Sequence, residues 1–372
     1  MTLDPESGGG VAARTLLVNR ALADRGIRCT IATGHDGQGP TPEQLRDISV
    51  VRLPVLGGRF RVPTGNFTGL NRAVRDADVI LLMNHWTALN VLGWRASRRE
   101  RRPYAISPCG ALPLFGRSRM LKRAYNALVG RRLVAGAAGY IAITRDEIDQ
   151  FVPYGVERAA VTVIPNGIAA PPHPPDDRAF RDRHGLGQSR IVLFLGRLTA
   201  IKGPDLLLAA FAGCAAKFSD WRLVMAGADG GDLAALRRAA EDMGISSRVH
   251  FPGFLDEQAK PQALAAADLV AIPSRSEAMS IVVLEAAAAG RAVLVTDRCG
   301  VPEVAEACGG WIVPATVAGL ARGLDGALAN PADLRARGDA WRRFALDRFS
   351  WHRIASLHIE LFSSVLAREG RS

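Results

Sequence analysis

The sequence contains no apolar run approaching the ~20 residues that a membrane-spanning helix needs. Its opening, MTLDPESGGG, carries two acids and no apolar core, so no secretory signal is expected at the start. The five cysteines (Cys29, Cys109, Cys214, Cys299 and Cys308) lie far apart and include no C-x-x-C pair. That spacing disfavours a disulfide framework or a zinc site and fits reduced thiols in the cytoplasm. No D-x-D follows a strand-like run, and the histidines have no metal-ligand spacing, so neither a metal nor a cofactor is expected. Hydrophobic residues make up 48% and charged residues 22%, which excludes a disordered or fibrous chain. A length of 372 residues is enough for two or three domains.

Lysine is also scarce, with only Lys122, Lys202, Lys217 and Lys260 among 47 basic residues. The formal charge of +11 is unevenly placed. Residues 1–168 hold 23 basic and 13 acidic residues, a net of +10, against 24 and 23 in residues 169–372. Within the first half, the segment 95–132 has eleven basic residues and one acid, Glu100. As plain structure this is a solvated arginine-rich face. As function it is a surface for anionic lipid headgroups or phosphates. Nucleic acid is not an expected partner, because the cluster is not interleaved with the aromatics that stacking would use.

Short β-branched runs alternate with Ala- and Leu-rich amphipathic segments, the pattern of parallel βα units. The first half predicts strands over 28–33, 50–53, 78–83, 104–107, 139–144 and 161–165, with helices over 11–25 and 117–135. The stretch AAPPHPPDD, residues 169–177, is too proline-rich for a helix or strand interior and reads as a linker. Beyond it the alternation resumes, with strands over 191–195, 222–226, 249–252, 269–272, 292–296 and 311–313. The expectation is therefore an α/β protein of two facing, doubly wound Rossmann-like domains, 1–168 and 178–349. Ligands of such sheets sit beyond the carboxyl ends of the strands. The glycine turn at residues 8–10 has no strand before it, so the first, central strand of the amino-terminal sheet is expected to be missing.

Four features could carry chemistry. Gly8-Gly9-Gly10 leads into the helix expected from Val11, where bare amides attract anions; a flexible turn is an equal reading. Gly196-Arg197 and Lys202-Gly203 follow the strand IVLFL, and two cations at a strand end suit a diphosphate. In SRSEAMSIVVLEA, Glu277 and Glu285 lie eight residues apart. Glu277 has capping-box spacing to Ser274, while Glu285 is surrounded by apolar neighbours and needs a hydrogen-bond partner, such as a ribose diol. His85 closes the strand ADVILLMN, where it could touch a ligand or simply be structural.

Together these residues resemble a retaining glycosyltransferase of the GT-B fold, family 4 (glycosyl transferases group 1). The resemblance runs through SGGG, HW, IPNGI, GRLTAIKG, SRSEAMSIVVLEAAAAG and the closing FSWHRIASLHIELF. It implies a donor site of Gly9, Gly10, Arg197, Lys202, Glu277, Met279, Ser280, Ile281 and Glu285. Arg197 and Lys202 would hold the diphosphate, Glu285 the ribose and Glu277 the transferred sugar, while His85 would lie near the reacting carbon. Asn166 would shape the junction turn, and a last helix over 350–372 would return to the first domain. The family usually has glycine after the first glutamate, where this chain has Ala278; a positive φ there would strain the loop. The implied activity is transfer of a sugar from a nucleotide-diphosphate sugar to a hydroxyl, on a lipid-linked or anionic glycan at an anionic membrane surface. The alternatives are a non-catalytic nucleotide-sugar-binding subunit and a GT-B epimerase.

Overall fold

A computed structural model describes residues 3, 5–35, 40–41, 45–56, 62–114, 119–170 and 176–370. Most of the linker-like stretch 169–177 and the start of the helix expected over 117–135 lie outside those residues. The chain divides into two compact units, one of Met1–Gly167 with Trp351–Ser372 and one of Ile168–Ser350.

The strands of the first unit are β1 (Cys29–His35), β2 (Ile48–Leu56), β3 (Val62–Pro63), β4 (Ile80–Met83), β5 (Tyr104–Ser107), β6 (Gly139–Ala142) and β7 (Val161–Val163). They form two sheets rather than one. β1 pairs parallel with β2, which takes β3 antiparallel, while β4-β5-β6-β7 is wholly parallel. β1 and β4 are edges, and no strand among the described residues joins them. Packing bridges them instead: Leu70 and Val74 of one helix and Leu89 and Ala96 of the next cluster with Ala32 of β1 and Ile80 of β4. The helix Pro5–Ala23 begins before Val11, but Gly9, at φ 60, breaks it. Glycine reaches that conformation without a Cβ penalty. The helix Trp351–Glu369 belongs to this unit, and its Ala355, Ile359 and Phe362 join Val18 and Leu22 in one core. Gly167 is required where the chain passes Trp351, since a Cβ there would come within 2.5 Å of the indole ring.

The second unit contains β8 (Arg190–Leu195), β9 (Trp221–Ala226), β10 (Val249–Gly253), β11 (Leu269–Ile272), β12 (Ala292–Thr296) and β13 (Gly310–Val313). All are parallel, in the order β10-β9-β8-β11-β12-β13. The order reverses between β8 and β11, and a doubly wound sheet takes its ligand at such a reversal. The inner strands β8, β9, β11 and β12 are largely runs of Val, Leu, Ile and Ala because both faces are covered, while the edges β10 and β13 are only partly buried. The helices Pro204–Cys214 and Val317–Leu328 contribute Leu207, Leu208, Phe211, Leu320 and Leu324 to the core. Trp341 of the helix Pro331–Phe349 is fully buried and donates Nε1–H to the Val283 carbonyl at 3.0 Å.

Candidate active site

Beyond β8 the chain turns through Gly196 and Arg197 into a short helical turn, Ala200–Lys202, that ends at Gly203 with φ 70. A Cβ on Gly203 would fall 2.1 Å from the Pro273 carbonyl oxygen, so only glycine lets this turn lie against the end of β11. Pro204 then opens the next helix, at the position where a missing N–H costs nothing. The turn is fastened from the other side. Arg275 donates to both carboxylate oxygens of Asp205, at 2.8 and 2.5 Å, and its backbone N–H bonds the Ile201 carbonyl. The Arg275 hydrogen bond holds the Asp205 carboxyl below its ordinary pKa.

This clasp brings Lys202 to Glu277. Nζ lies 3.0 Å from Oε2, and Ser274 Oγ donates to Oε1 at 2.5 Å. The acidic partner of Lys202 is therefore Glu277. One reading from the sequence is corrected here. The Ser274–Glu277 spacing makes a side-chain bond inside a loop, not a capping box, because the helix begins only at Ile281. Arg197 is exposed beside this turn.

The loop 274–280 is held by the Glu277 N–H on the Arg298 carbonyl and the Ser280 N–H on the Cys299 carbonyl. Ala278 does not have a positive φ, so its methyl costs no backbone strain; the left-handed residue nearby is Gly300, at φ 67. A Cβ on Gly300 would meet the Ala278 carbonyl at 1.8 Å. The glycine that this loop needs is thus on its neighbour. Met279 and Ser280 are buried, and the helix Ile281–Ala288 starts with no side-chain cap. Its first-turn amides therefore have no side-chain acceptor.

Glu285 also has a partner that sequence reasoning missed. Lys260, near the start of the helix Ala259–Ala266, places Nζ 2.6 Å from Glu285 Oε1. That helix leads into β11, so its amino end lies towards the carboxyl end of the sheet. Nothing in the sequence pairs residues 25 apart across two helices, and only the topology reveals the contact.

In the first unit His85 follows β4 through Asn84, whose φ is 69. Asn90 Nδ2 fixes this turn by donating to the Met83 and Asn84 carbonyls at 2.9 and 3.0 Å. His85 is fully buried rather than open at the strand end. Trp86, Tyr125 and Tyr154 meet its ring edge-on, with centroids at 4.4, 5.3 and 5.5 Å. Nε2 bonds Asn126 Oδ1 at 3.0 Å, and Nδ1 is buried without a partner. Burial pushes the imidazole pKa down to about 4, against the opposing effect of the Asn126 bond. His85 is therefore neutral at pH 7.

Arg14, unforeseen from the sequence, is buried and donates to the Ile164 and Pro165 carbonyls and to Asn166 Oδ1, each at 2.8 Å. This explains Asn166, whose side chain ties the end of β7 to the first helix. Gly9 and Gly10 are exposed, and a Cβ at Gly9 would meet nothing within 4 Å. Among the described residues, no group of three or more His, Cys, Asp and Glu side chains could hold a metal ion.

A doubly wound unit with cations and carboxylates at its strand-order reversal defines a class of nucleotide-handling enzymes, and comparison with known proteins makes the class specific. Residues 9–167 match the family described as glycosyl transferase 4-like domain, and residues 176–343 match glycosyl transferases group 1. The D-inositol 3-phosphate glycosyltransferase of Mycolicibacterium smegmatis is 36% identical over 88% of this chain and 76% of that protein. A GDP-mannose-dependent alpha-(1-6)-phosphatidylinositol monomannoside mannosyltransferase of the same species is 32% identical over 68% of each. Among solved structures, Anabaena HepE in complex with UDP-glucose superposes with a TM-score of 0.77 at 24% identity, covering 96% of this chain and 98% of that one. Sucrose-phosphate synthase from Thermosynechococcus elongatus gives 0.76 at 22% identity, over 98% and 95%. The fold is that of the GT-B glycosyltransferases. The chain belongs to the group 1 glycosyltransferase family and is a glycosyltransferase.

Proposed function

We propose that the enzyme transfers a sugar from a nucleotide-diphosphate sugar to a hydroxyl with retention of anomeric configuration. The observation that carries this reading is the pairing of Lys202 with Glu277 at the β8–β11 reversal, beside Arg197 and the uncapped helix start at Ile281. A departing diphosphate develops negative charge, and fixed cations and helix amides stabilise it without reorganising. Lys202 and Arg197 supply the cations. The Lys202–Glu277 pair is ready-made for two-part recognition, with the ammonium turning to phosphate while the carboxylate accepts sugar hydroxyls. Glu285, with one oxygen held by Lys260, has its other oxygen for the ribose diol. Neutral His85 offers Nδ1 as a hydrogen-bond acceptor for a sugar hydroxyl once the aromatic side chains around it part. Retention follows from same-face attack, with the leaving phosphate taking the acceptor proton.

The acceptor is an anionic or lipid-linked molecule, in glycan assembly at the inner face of the cytoplasmic membrane. Two relatives are named for acceptors that bear phosphate, D-inositol 3-phosphate and a phosphatidylinositol mannoside. In this chain no acid occurs between Glu100 and Asp146. No helix among the described residues is long and apolar enough to cross a membrane.

A panel of UDP- and GDP-sugars in a thermal-shift experiment tests the donor site. One donor at about 100 times its Kd should stabilise the wild type by about 2.7 kcal/mol, and Glu285→Ala and Arg197→Ala should lose most of that gain. A folded wild type that no donor stabilises would overturn the reading.

A further inference from the structure

At the amino-terminal end of the second unit's sheet, opposite the strand ends that carry Lys202 and Glu277, a cavity of about 480 Å³ opens against the helix Pro331–Phe349. Parallel strands deliver its walls. Arg190 begins β8, Asp268 immediately precedes β11, and Arg291 immediately precedes β12. Arg335 reaches it from the helix, and Leu334 supplies a buried apolar wall. Three guanidinium groups and a single carboxylate therefore line one cavity.

Their other commitments are unequal. Arg190 is paired with Asp220, with Nε 3.2 Å from Oδ2, and lies over the Trp221 ring. Asp268 spends Oδ2 on the Ile191 N–H at 2.8 Å. Among the described residues, the side chains of Arg291 and Arg335 make no hydrogen bond or ion pair, and the Arg291 Nε–H is buried without an acceptor. A desolvated guanidinium with an unmet donor is costly, and an incoming acceptor removes that cost. Asp268 and Asp177 act on Arg291 only as nearby charges, and Arg181 and Arg335 oppose them.

We propose that this cavity is a second ligand site, for a phosphate group free or carried on a small metabolite, and that it is separate from the donor site. Phosphate fits better than carboxylate because its oxygens can satisfy two guanidinium forks at once. The volume lies within the range of small-molecule pockets, roughly 300–1,000 Å³. The proposal is independent of which nucleotide the enzyme uses.

The test is calorimetric titration of the full-length chain carrying Arg197→Ala and Lys202→Ala, which removes the donor-site cations. Inorganic phosphate should bind saturably where chloride at equal ionic strength does not. Adding Arg291→Met or Arg335→Ala should each weaken binding by about tenfold or more, as expected for loss of a charged hydrogen-bonding group. Arg335 is exposed, so its variant keeps the fold even if Arg291→Met does not. Glucose 1-phosphate in a parallel titration separates the sources: tighter binding than inorganic phosphate indicates a phosphate monoester, and equal binding indicates the free ion. Heats no different from chloride, or unchanged affinity in both folded variants, would overturn the site.

Discussion

His85 and His358 are both fully buried, and in each ring one nitrogen is engaged while the other has no partner. Burial lowers both pKa values from 6.5 to about 4, and for His358 the nearby Arg14 cation adds to the effect. Between those values the unfolded chain takes up protons that the folded chain refuses. Stability is therefore complete at pH 7 and falls as the pH drops from 6.5 towards 4, by up to about 3 kcal/mol per histidine. Urea unfolding at pH 7 and pH 5 should show the loss, and His358→Gln should flatten it. A ring resonance of His85 or His358 that titrates near 6.5 would refute this. The residues visible from sequence were those marked by a strand end or a motif: His85, Arg197, Lys202, Glu277 and Glu285. Arg14 and Lys260 were invisible because their partners, Asn166 and Glu285, are 152 and 25 positions away and meet them only through the fold.

Elements were more legible than residues wherever the chain is buried on both faces. The strands expected over 104–107, 269–272 and 292–296 coincide with β5, β11 and β12, because continuous apolar runs leave no other placement. The two-residue β3 was missed; it ends in proline and is itself an edge, paired only with β2, so it leaves no periodic signal. The single helix expected over 117–135 is instead Arg119–Tyr125, a wide turn Asn126–Gly130 and Arg131–Ala135. Such π-type turns often mark functional sites, and here the turn aims Asn126 at His85 and Tyr154. Gly130 makes room for it, since a Cβ there would lie 2.3 Å from Asn126 Oδ1 and 2.9 Å from the Tyr125 ring. Gly130→Ala should therefore displace Asn126 and free His85 Nε2. The expected cost is about 1–3 kcal/mol of stability, from overpacking. Transferase activity at temperatures where the variant remains folded should fall by about tenfold, the equivalent of one lost hydrogen bond at the site. Wild-type turnover in a folded Gly130→Ala protein would show that the Asn126–His85 contact serves packing alone.

Across the whole molecule, charge is segregated: +10 in residues 1–168 against +1 in the remainder. The segregation sharpens in the first unit around residues 119–132. There the helix Arg119–Tyr125 buries none of its side chains, and Met120 and Leu128 are 83% and 74% exposed. Exposed apolar side chains this large cost solvation free energy unless something covers them. Interspersed with Arg119, Lys122, Arg123, Arg131 and Arg132, they have the composition of a surface that inserts shallowly among anionic headgroups. Each cation near such a surface contributes about 1 kcal/mol, screened over roughly 10 Å at 0.1 M salt. The chain should therefore sediment with phosphatidylglycerol-containing vesicles and be released by raising the salt. Reversing Arg119, Lys122 and Arg123 to Glu should weaken binding by at least about 100-fold, the equivalent of some 3 kcal/mol. Met120→Ser with Leu128→Ser should weaken binding while leaving its salt dependence unchanged. Neither set touches the Lys202–Glu277 pair, so stabilisation by the nucleotide-sugar donor should survive both. Equal affinity for zwitterionic and anionic vesicles would separate the exposed side chains from the charge and leave the +10 as a property of solubility alone.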